Sequence, residues 1–259
     1  MEILEISKLS YSYGDGNKAL QNVSIKIQAG EIISIVGESG SGKSTLLHGI
    51  LGLLPSDDLD GSIVYEGEPL TNFRKRLIRG KEIAIIYQNA GRYFDPVKRI
   101  GKQYGEMLNA HGVRNKKEQI KIAKEMLESV HLTDSERILR SYPFELSGGM
   151  VQRVAIAMAM TFRPKLLLAD EPTSALDATI QERIVRQLLE LRREYHTAIL
   201  LVTHNMGLAS YISDYIGVMK DGKMIEYGTR DQIIDHPTED YTRRLLYAVP
   251  DFQEERLAD

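Results

Sequence analysis

Eight consecutive residues could hold an anion: Gly37, Glu38, Ser39, Gly40, Ser41, Gly42, Lys43 and Ser44. Three glycines without a Cβ let backbone N–H groups approach phosphate oxygens closely. Lys43 supplies a point charge for the outer phosphates, and the Ser44 hydroxyl suits a magnesium ion. Two further places carry chemistry. Asp170 and Glu171 end one apolar run, and His204 ends another. A carboxylate pair at the end of a buried run is seldom structural, because burying charge is costly without an ion or hydrogen bonds to offset it. The bland alternatives are a Gly/Ser loop with an incidental lysine and an unremarkable lone histidine. Together the groups favour a nucleoside triphosphate site.

The elements that must position these groups are legible. Ile32-Ile33-Ser34-Ile35-Val36 is a strand and Thr45 to Leu54 a helix, the flanks a P-loop requires. Leu166 to Asp170 and Ala198 to Thr203 are buried strands, and Ile83 to Tyr87 is a shorter one ending at Gln88. Ile180 to Tyr195 has helical spacing. Strands alternating with helices predict an α/β fold with a mixed, mostly parallel sheet. Ligands of such sheets sit beyond the carboxyl ends of the strands. The loop, Gln88, Asp170, Glu171 and His204 are therefore expected on one rim.

Around this core, Glu2 to Leu9 and Val23 to Ile27 alternate like half-buried strands and predict an antiparallel β subdomain. Between them Tyr13 precedes a turn. It could stack on a purine base, worth roughly 1–3 kcal/mol, or simply pack. Leu59 to Glu68 is expected to be a hairpin with turns at Asp60-Gly61 and Glu66-Gly67. Arg74-Lys75-Arg76, with Arg79 and Lys81, reads as a solvated basic face. From about 89 to 162 the texture becomes helical: Ile100 to Val130, Leu132 to Leu139, and Val151 to Thr161 after a Ser/Gly turn. The methionines there read as packing. Ile216 to Ile225 predicts a hairpin turning at Asp221-Gly222, and a helical tail runs from about 229 to 259. One domain spanning 1–259 is expected.

Bulk properties exclude several classes. The 259 residues are 42% hydrophobic and 27% charged, with a net charge of -3. That balance does not favour a dominant nucleic-acid surface. No cysteine is present, which removes disulfides, thiolate chemistry and Cys-based zinc sites. The N-terminal residues lack a signal-peptide pattern. No apolar run approaches the ~18 residues of a membrane span. Membrane association is then expected through a partner.

Leu146-Ser147-Gly148-Gly149-Met150-Val151-Gln152-Arg153 resembles the signature motif of the ATP-binding-cassette (ABC) transporter family. The likeness covers nearly the whole chain, with the motifs in the family's order. It implies a P-loop ATPase of ABC type with an inserted α-helical subdomain. By resemblance, Tyr13 stacks on adenine, and Gly37 to Thr45 cradle the phosphates of ATP. Ser44, Gln88 and Asp170 serve Mg2+, Glu171 is the general base, and His204 steadies the γ-phosphate. Ser147, Gly148, Gly149 and Asp177 contact the ATP of an opposite subunit. Two departures stand out: Met150 where the family usually has Gln, and Asn205 where Asp is common. Neither removes a ligand, so an active site is expected.

The segment Tyr142 to Met150 resembles nickel-import ATPases. The tail His236-Pro237-Thr238-Glu239-Asp240-Tyr241-Thr242 resembles the His-Pro-Tyr-Thr ending of the peptide/nickel import branch, with an insertion before Tyr241. That branch implies two membrane-spanning permease subunits, a second ATPase subunit (a heterodimer, or a homodimer) and an external solute-binding protein, with the ATPase at the cytoplasmic membrane face. Tyr93, Phe94 and Pro96 could line a groove for a permease helix. Nickel or a di- or oligopeptide is the implied solute. A different ABC transporter branch, or a soluble ABC ATPase of translation or DNA repair, is the alternative.

Overall fold

Two alternating segments start the fold. Glu2–Ser12 (β1) and Lys18–Gln28 (β2) pair antiparallel, placing Leu4 opposite Ile27 and Ile6 opposite Ile25. Ile32–Val36 (β3) and Lys43–Leu51 (α1) follow, flanking the Gly-rich loop. Leu59–Tyr65 (β4) and Glu68–Pro69 (β5) complete a four-stranded antiparallel sheet in the order β2-β1-β4-β5. The computed structural model of the chain describes residues 1–14, 16–55, 58–173 and 178–249.

One expected turn is absent. Glu66-Gly67 does connect β4 to β5, but Asp60-Gly61 lies inside β4, opposite a register irregularity between Ser7 and Ser10 of β1. Gly61 has φ 98°, and a Cβ there would sit 2.6 Å from the Lys8 carbonyl oxygen. The glycine marks a bulge with a close backbone approach, which has the same local signature as a turn.

The basic segment also departs from expectation. Asn72–Ile78 (α2) turns Lys75 inward to 6% exposure, where its Nζ donates to Gly49 O at 3.0 Å. Arg79 Nη2 donates to Leu51 O at 2.6 Å. These carbonyls end α1, where C=O groups lack intrahelical partners. Cations there also oppose the negative end of the helix dipole. Arg76 and Lys81 are exposed, as a solvated face requires.

Ile83–Ile86 (β6) leads to the helical region. Ile100–Ala110 (α3) and Lys116–Ser129 (α4) are two helices rather than one, because Asn115 caps α4 by accepting from Lys117 and Glu118 N–H. Ser135–Arg140 (α5) and Gly148–Met160 (α6) follow. The last begins three residues earlier than expected, because Ser147 caps it.

The chain then returns through Leu166–Asp170 (β7), Ala178–Tyr195 (α7), Ala198–Thr203 (β8), Met206–Ile212 (α8), Tyr215–Lys220 (β9) and Lys223–Thr229 (β10). The sheet order is β10-β9-β3-β8-β7-β6, with β9, β3, β8, β7 and β6 parallel and β10 antiparallel. The central strands β3, β7 and β8 are buried on both faces, whereas the edge strand β10 is not. Ile33, Leu168 and Leu200 enter one core, which includes the antiparallel sheet, whereas Ile32, Leu167 and Ile199 enter another with α6 and α7. Burial on both faces explains the unbroken apolar runs. Arg230–Asp235 (α9) and Asp240–Tyr247 (α10) close the described chain. Among the described residues no helix is long and apolar enough to cross a membrane.

Candidate functional site: a cleft at the sheet rim

The expected rim forms. The loop after β3, Gln88 after β6, Asp170 and Glu171 at the end of β7 and His204 after β8 line one cleft of about 850 Å3. Tyr13, Ser39, Gly40, Gly42, Ser44 and Thr45 line it too. Gly42 has φ 100°, and a Cβ there would lie 2.3 Å from Ala19 O. A side chain at that position is excluded by both conformation and space.

Lys43 is 5% exposed and folds back on its own loop. Its Nζ donates to Gly37 O and Glu38 O at 2.8 Å each, and to Ser41 Oγ at 3.2 Å. Burial pushes its pKa down, opposed by the charges of Glu171, Asp170 and Glu38. Ser44 Oγ lies 3.1 Å from Asp170 Oδ1. Burial raises the pKa of Asp170 although the Ser44 bond works the other way. A carboxyl and a hydroxyl meeting at a strand end are hard oxygen donors suited to Mg2+. Among the described residues no group of three or more His, Cys, Asp or Glu could hold a metal ion. A cation here thus fits only with further oxygens from water and a phosphate, the usual Mg2+ arrangement.

Glu171 stands at the centre of the polar groups. Its Oε2 accepts from Gln88 Nε2 at 3.0 Å and is 3.0 Å from His204 Nδ1. Its backbone is left-handed at φ 44°, sparsely populated for a residue with a side chain, and its N–H donates to Val202 O at 2.8 Å. Strain of this sort collects at functional sites. The backbone around Gln88 is tied to α6, since Gln152 donates to Tyr87 O and accepts from Ala90 N–H.

Tyr13 sits edge-on to Tyr11, its hydroxyl 3.2 Å from Thr45 Oγ1, and stays 42% exposed beside the cleft. Ser147, Gly148 and Gly149 are not brought to this cleft. Ser147 is the N-cap of α6, with Gly148 exposed beside it. Asp177 lies outside the described residues. Asn205 caps α8, accepting from Leu208 N–H at 3.0 Å, a role Asn and Asp share. Met150 packs its side chain against the core. A second cleft, of about 390 Å3, is lined by Tyr87, Tyr93, Phe94, Met107 and Met158. Tyr93 stacks on Tyr87 with centroids 3.8 Å apart, while Pro96 is not among the lining residues.

Sequence reasoning missed several contributors to this cleft, Asn17 and Ala19 among them. Lys18, Gln21 and the Asp221-Gly222 turn line it too. Gln21 Nε2 donates to Asp221 O, and Gly222 N–H donates to Ser41 O, so this hairpin braces the loop. Asp221-Gly222 was legible as a turn, but nothing in its spacing shows where the turn docks.

These features define a P-loop nucleoside triphosphatase. The sequence model of the family described as ABC transporter matches residues 20–174. The oligopeptide transport ATP-binding protein OppD of Haemophilus influenzae is 41% identical over 245 residues, spanning 92% of this chain and 76% of that protein. The metal-staphylopine import system ATP-binding protein CntD of Staphylococcus aureus is 37% identical over 231 residues, 88% of this chain and 85% of that protein. An ATP-binding cassette solved as a dimer in a post-hydrolysis state with ADP and Pi matches with a TM-score of 0.77 at 30% identity, over 88% of this chain and 99% of that one. The cbiO1 protein of Clostridium perfringens, part of the ABC transporter complex cbiONQ, matches with a TM-score of 0.78 at 26% identity, over 98% of each chain. The chain belongs to the ABC transporter family. It is an ATP-binding, ATP-hydrolysing subunit of an importer.

Proposed function

We propose that the chain powers uptake of a peptide or a metal-chelate solute by hydrolysing MgATP at the cytoplasmic face of a membrane. The observation that carries this is the convergence of Gln88 and His204 on one oxygen of Glu171. In the proposed roles, Glu171 takes a proton from the attacking water, and Gln88 and His204 orient its carboxylate and the γ-phosphate. Lys43 leaves its loop carbonyls for the outer phosphates, and Tyr13 offers its exposed face to the adenine. Ser44 and Asp170 would hold Mg2+, assisted by Gln88. The ion supplies neutralisation of charge developing on the phosphates. Phosphoryl transfer needs little beyond such positioning and neutralisation.

Ser147, Gly148, Gly149 and Asp177 would complete the site of a second ATPase subunit, head to tail, as a homodimer or heterodimer. ATP then closes the pair and hydrolysis releases it, so a local charge change drives a large motion. The Tyr93–Phe94 cleft would receive a helix of one of two permease subunits, in the helix-in-groove mode. An external solute-binding protein would deliver the solute. The relatives' names support peptides and metal chelates together; the tail and signature resemblance adds nickel.

The test is uptake of radiolabelled nickel and labelled dipeptides in the native host, with Lys43→Ala replacing the wild type. Loss of one uptake, restored by wild type, identifies the solute. Retention of both refutes uptake of these solutes and leaves ATP hydrolysis standing.

A further inference from the structure

We propose that Tyr241, in the C-terminal tail, is a positioning residue that fixes the phosphate loop and sets the affinity for ATP. Its hydroxyl oxygen accepts from Glu38 N–H at 3.1 Å, across 203 positions of sequence. The other pole of the same peptide unit, Gly37 O, accepts from Lys43 Nζ at 2.8 Å. Both ends of one loop peptide are therefore pinned. A lysine that serves outer phosphates must give up loop carbonyls when a nucleotide arrives. The Tyr241 bond then still fixes that peptide plane, and with it the direction of the neighbouring N–H groups that meet the phosphates. A loop held in its binding shape loses less conformational freedom on binding, which appears as affinity.

The tail is built to hold that hydroxyl in place. Tyr241 is 7% exposed. Lys220 Nζ and the Arg244 guanidinium carbon lie 5.2 and 5.8 Å from its ring centre, within cation–π reach. One residue on, Thr242 is fully buried and donates its hydroxyl to Glu226. The same carboxylate accepts from Thr238 N–H at 2.7 Å, Thr238 Oγ1 at 2.8 Å and Glu239 N–H at 3.3 Å. Thr238 and Glu239 belong to the insertion that separates this tail from the His-Pro-Tyr-Thr pattern. Glu226, on β10, binds two of the three inserted residues and keeps Tyr241 on the loop despite the added length. A tail that merely covered the core would need Tyr241's ring and not its hydroxyl.

The inference rests on residues 37–45 being the phosphate cradle, and the experiment tests both levels. Steady-state ATPase, binding of fluorescent ATP and thermal melting are measured on the full chain for wild type, Tyr241→Phe, Tyr241→Leu and Lys43→Ala. Tyr241→Phe keeps the ring and removes only the bond. The expected result is a roughly fivefold rise in KM and in Kd for ATP, the range of one neutral hydrogen bond. The kcat should stay within about twofold and the melting temperature within about 2 °C. Tyr241→Leu should match that affinity loss and also melt lower. An unchanged KM in Tyr241→Phe overturns the proposal. So does a KM change that appears only in the lower-melting Tyr241→Leu, which assigns Tyr241 to packing. ATP binding retained by Lys43→Ala removes the cradle itself, and the proposal falls with it.

Discussion

Lys75→Met separates a helix-capping lysine from a surface lysine. The Lys75 stem packs against Gly52, and its Nζ meets Gly49 O at 3.0 Å at the end of the P-loop helix. Methionine has similar length and keeps the stem contacts. What disappears is a charged hydrogen bond, worth about 1.5–3 kcal/mol, which includes the attraction to the helix terminus. Two facts reduce the loss. Gly49 O also accepts from Gly52 N–H at 3.1 Å, so it is not orphaned. Burial already pushes the pKa of Lys75 down, with Arg79 adding repulsion, so removing the ammonium also removes a desolvation cost. A net loss of about 1.5 kcal/mol remains, and for a chain of this size that lowers the melting temperature by about 3–6 °C. The assay is thermal melting by circular dichroism without nucleotide, with Arg76→Met in parallel. Arg76 is exposed and should change stability by less than about 0.5 kcal/mol. If both variants melt together, or Lys75→Met melts higher, the capping argument is wrong.

Two predictions address the rim. Glu171→Gln is nearly isosteric, and its amide oxygen can still accept from Gln88 and His204. ATP binding should persist while hydrolysis falls about 10^2–10^4-fold, the usual worth of a general base; a fall below tenfold in a phosphate-release assay would reject that role. For Asp170, burial raises the folded pKa above the reference value of 3.8. The folded chain then binds the proton more tightly than the unfolded chain. The group's stabilising contribution is fully present below 3.8 and is lost as pH rises through the folded pKa. At neutral pH the ionised carboxylate is a net cost, so Asp170→Asn should raise the melting temperature of the nucleotide-free chain while abolishing Mg2+-dependent hydrolysis. A lower melting temperature at pH 7, or no narrowing of the difference as pH falls toward about 4, contradicts the sign.

Most of the rim was legible because its groups sit at ends of buried strands, and unbroken apolar runs such as Leu166 to Ala169 mark those ends directly. The parallel order of the strands then brings Gln88, Glu171 and His204 together without further information. The failures have a common physical form. Asp60-Gly61 and a turn share one signature, because both need a left-handed residue, and only the partner strand distinguishes them. Lys75 and Arg76 are adjacent and chemically alike, yet one is buried and one exposed, because the end of α1 lies over α2. Tyr241 was visible only as part of a tail pattern. Its contact with Glu38 depends on where α10 packs, a long-range property that local spacing does not encode. What the sequence hides is thus the support of the site rather than its reacting groups. Reacting groups are restricted in type by chemistry, whereas any donor that arrives at the right place can brace a loop. Variants in the supporting residues should therefore shift affinity and stability, while those at Glu171 and Asp170 change the chemistry itself.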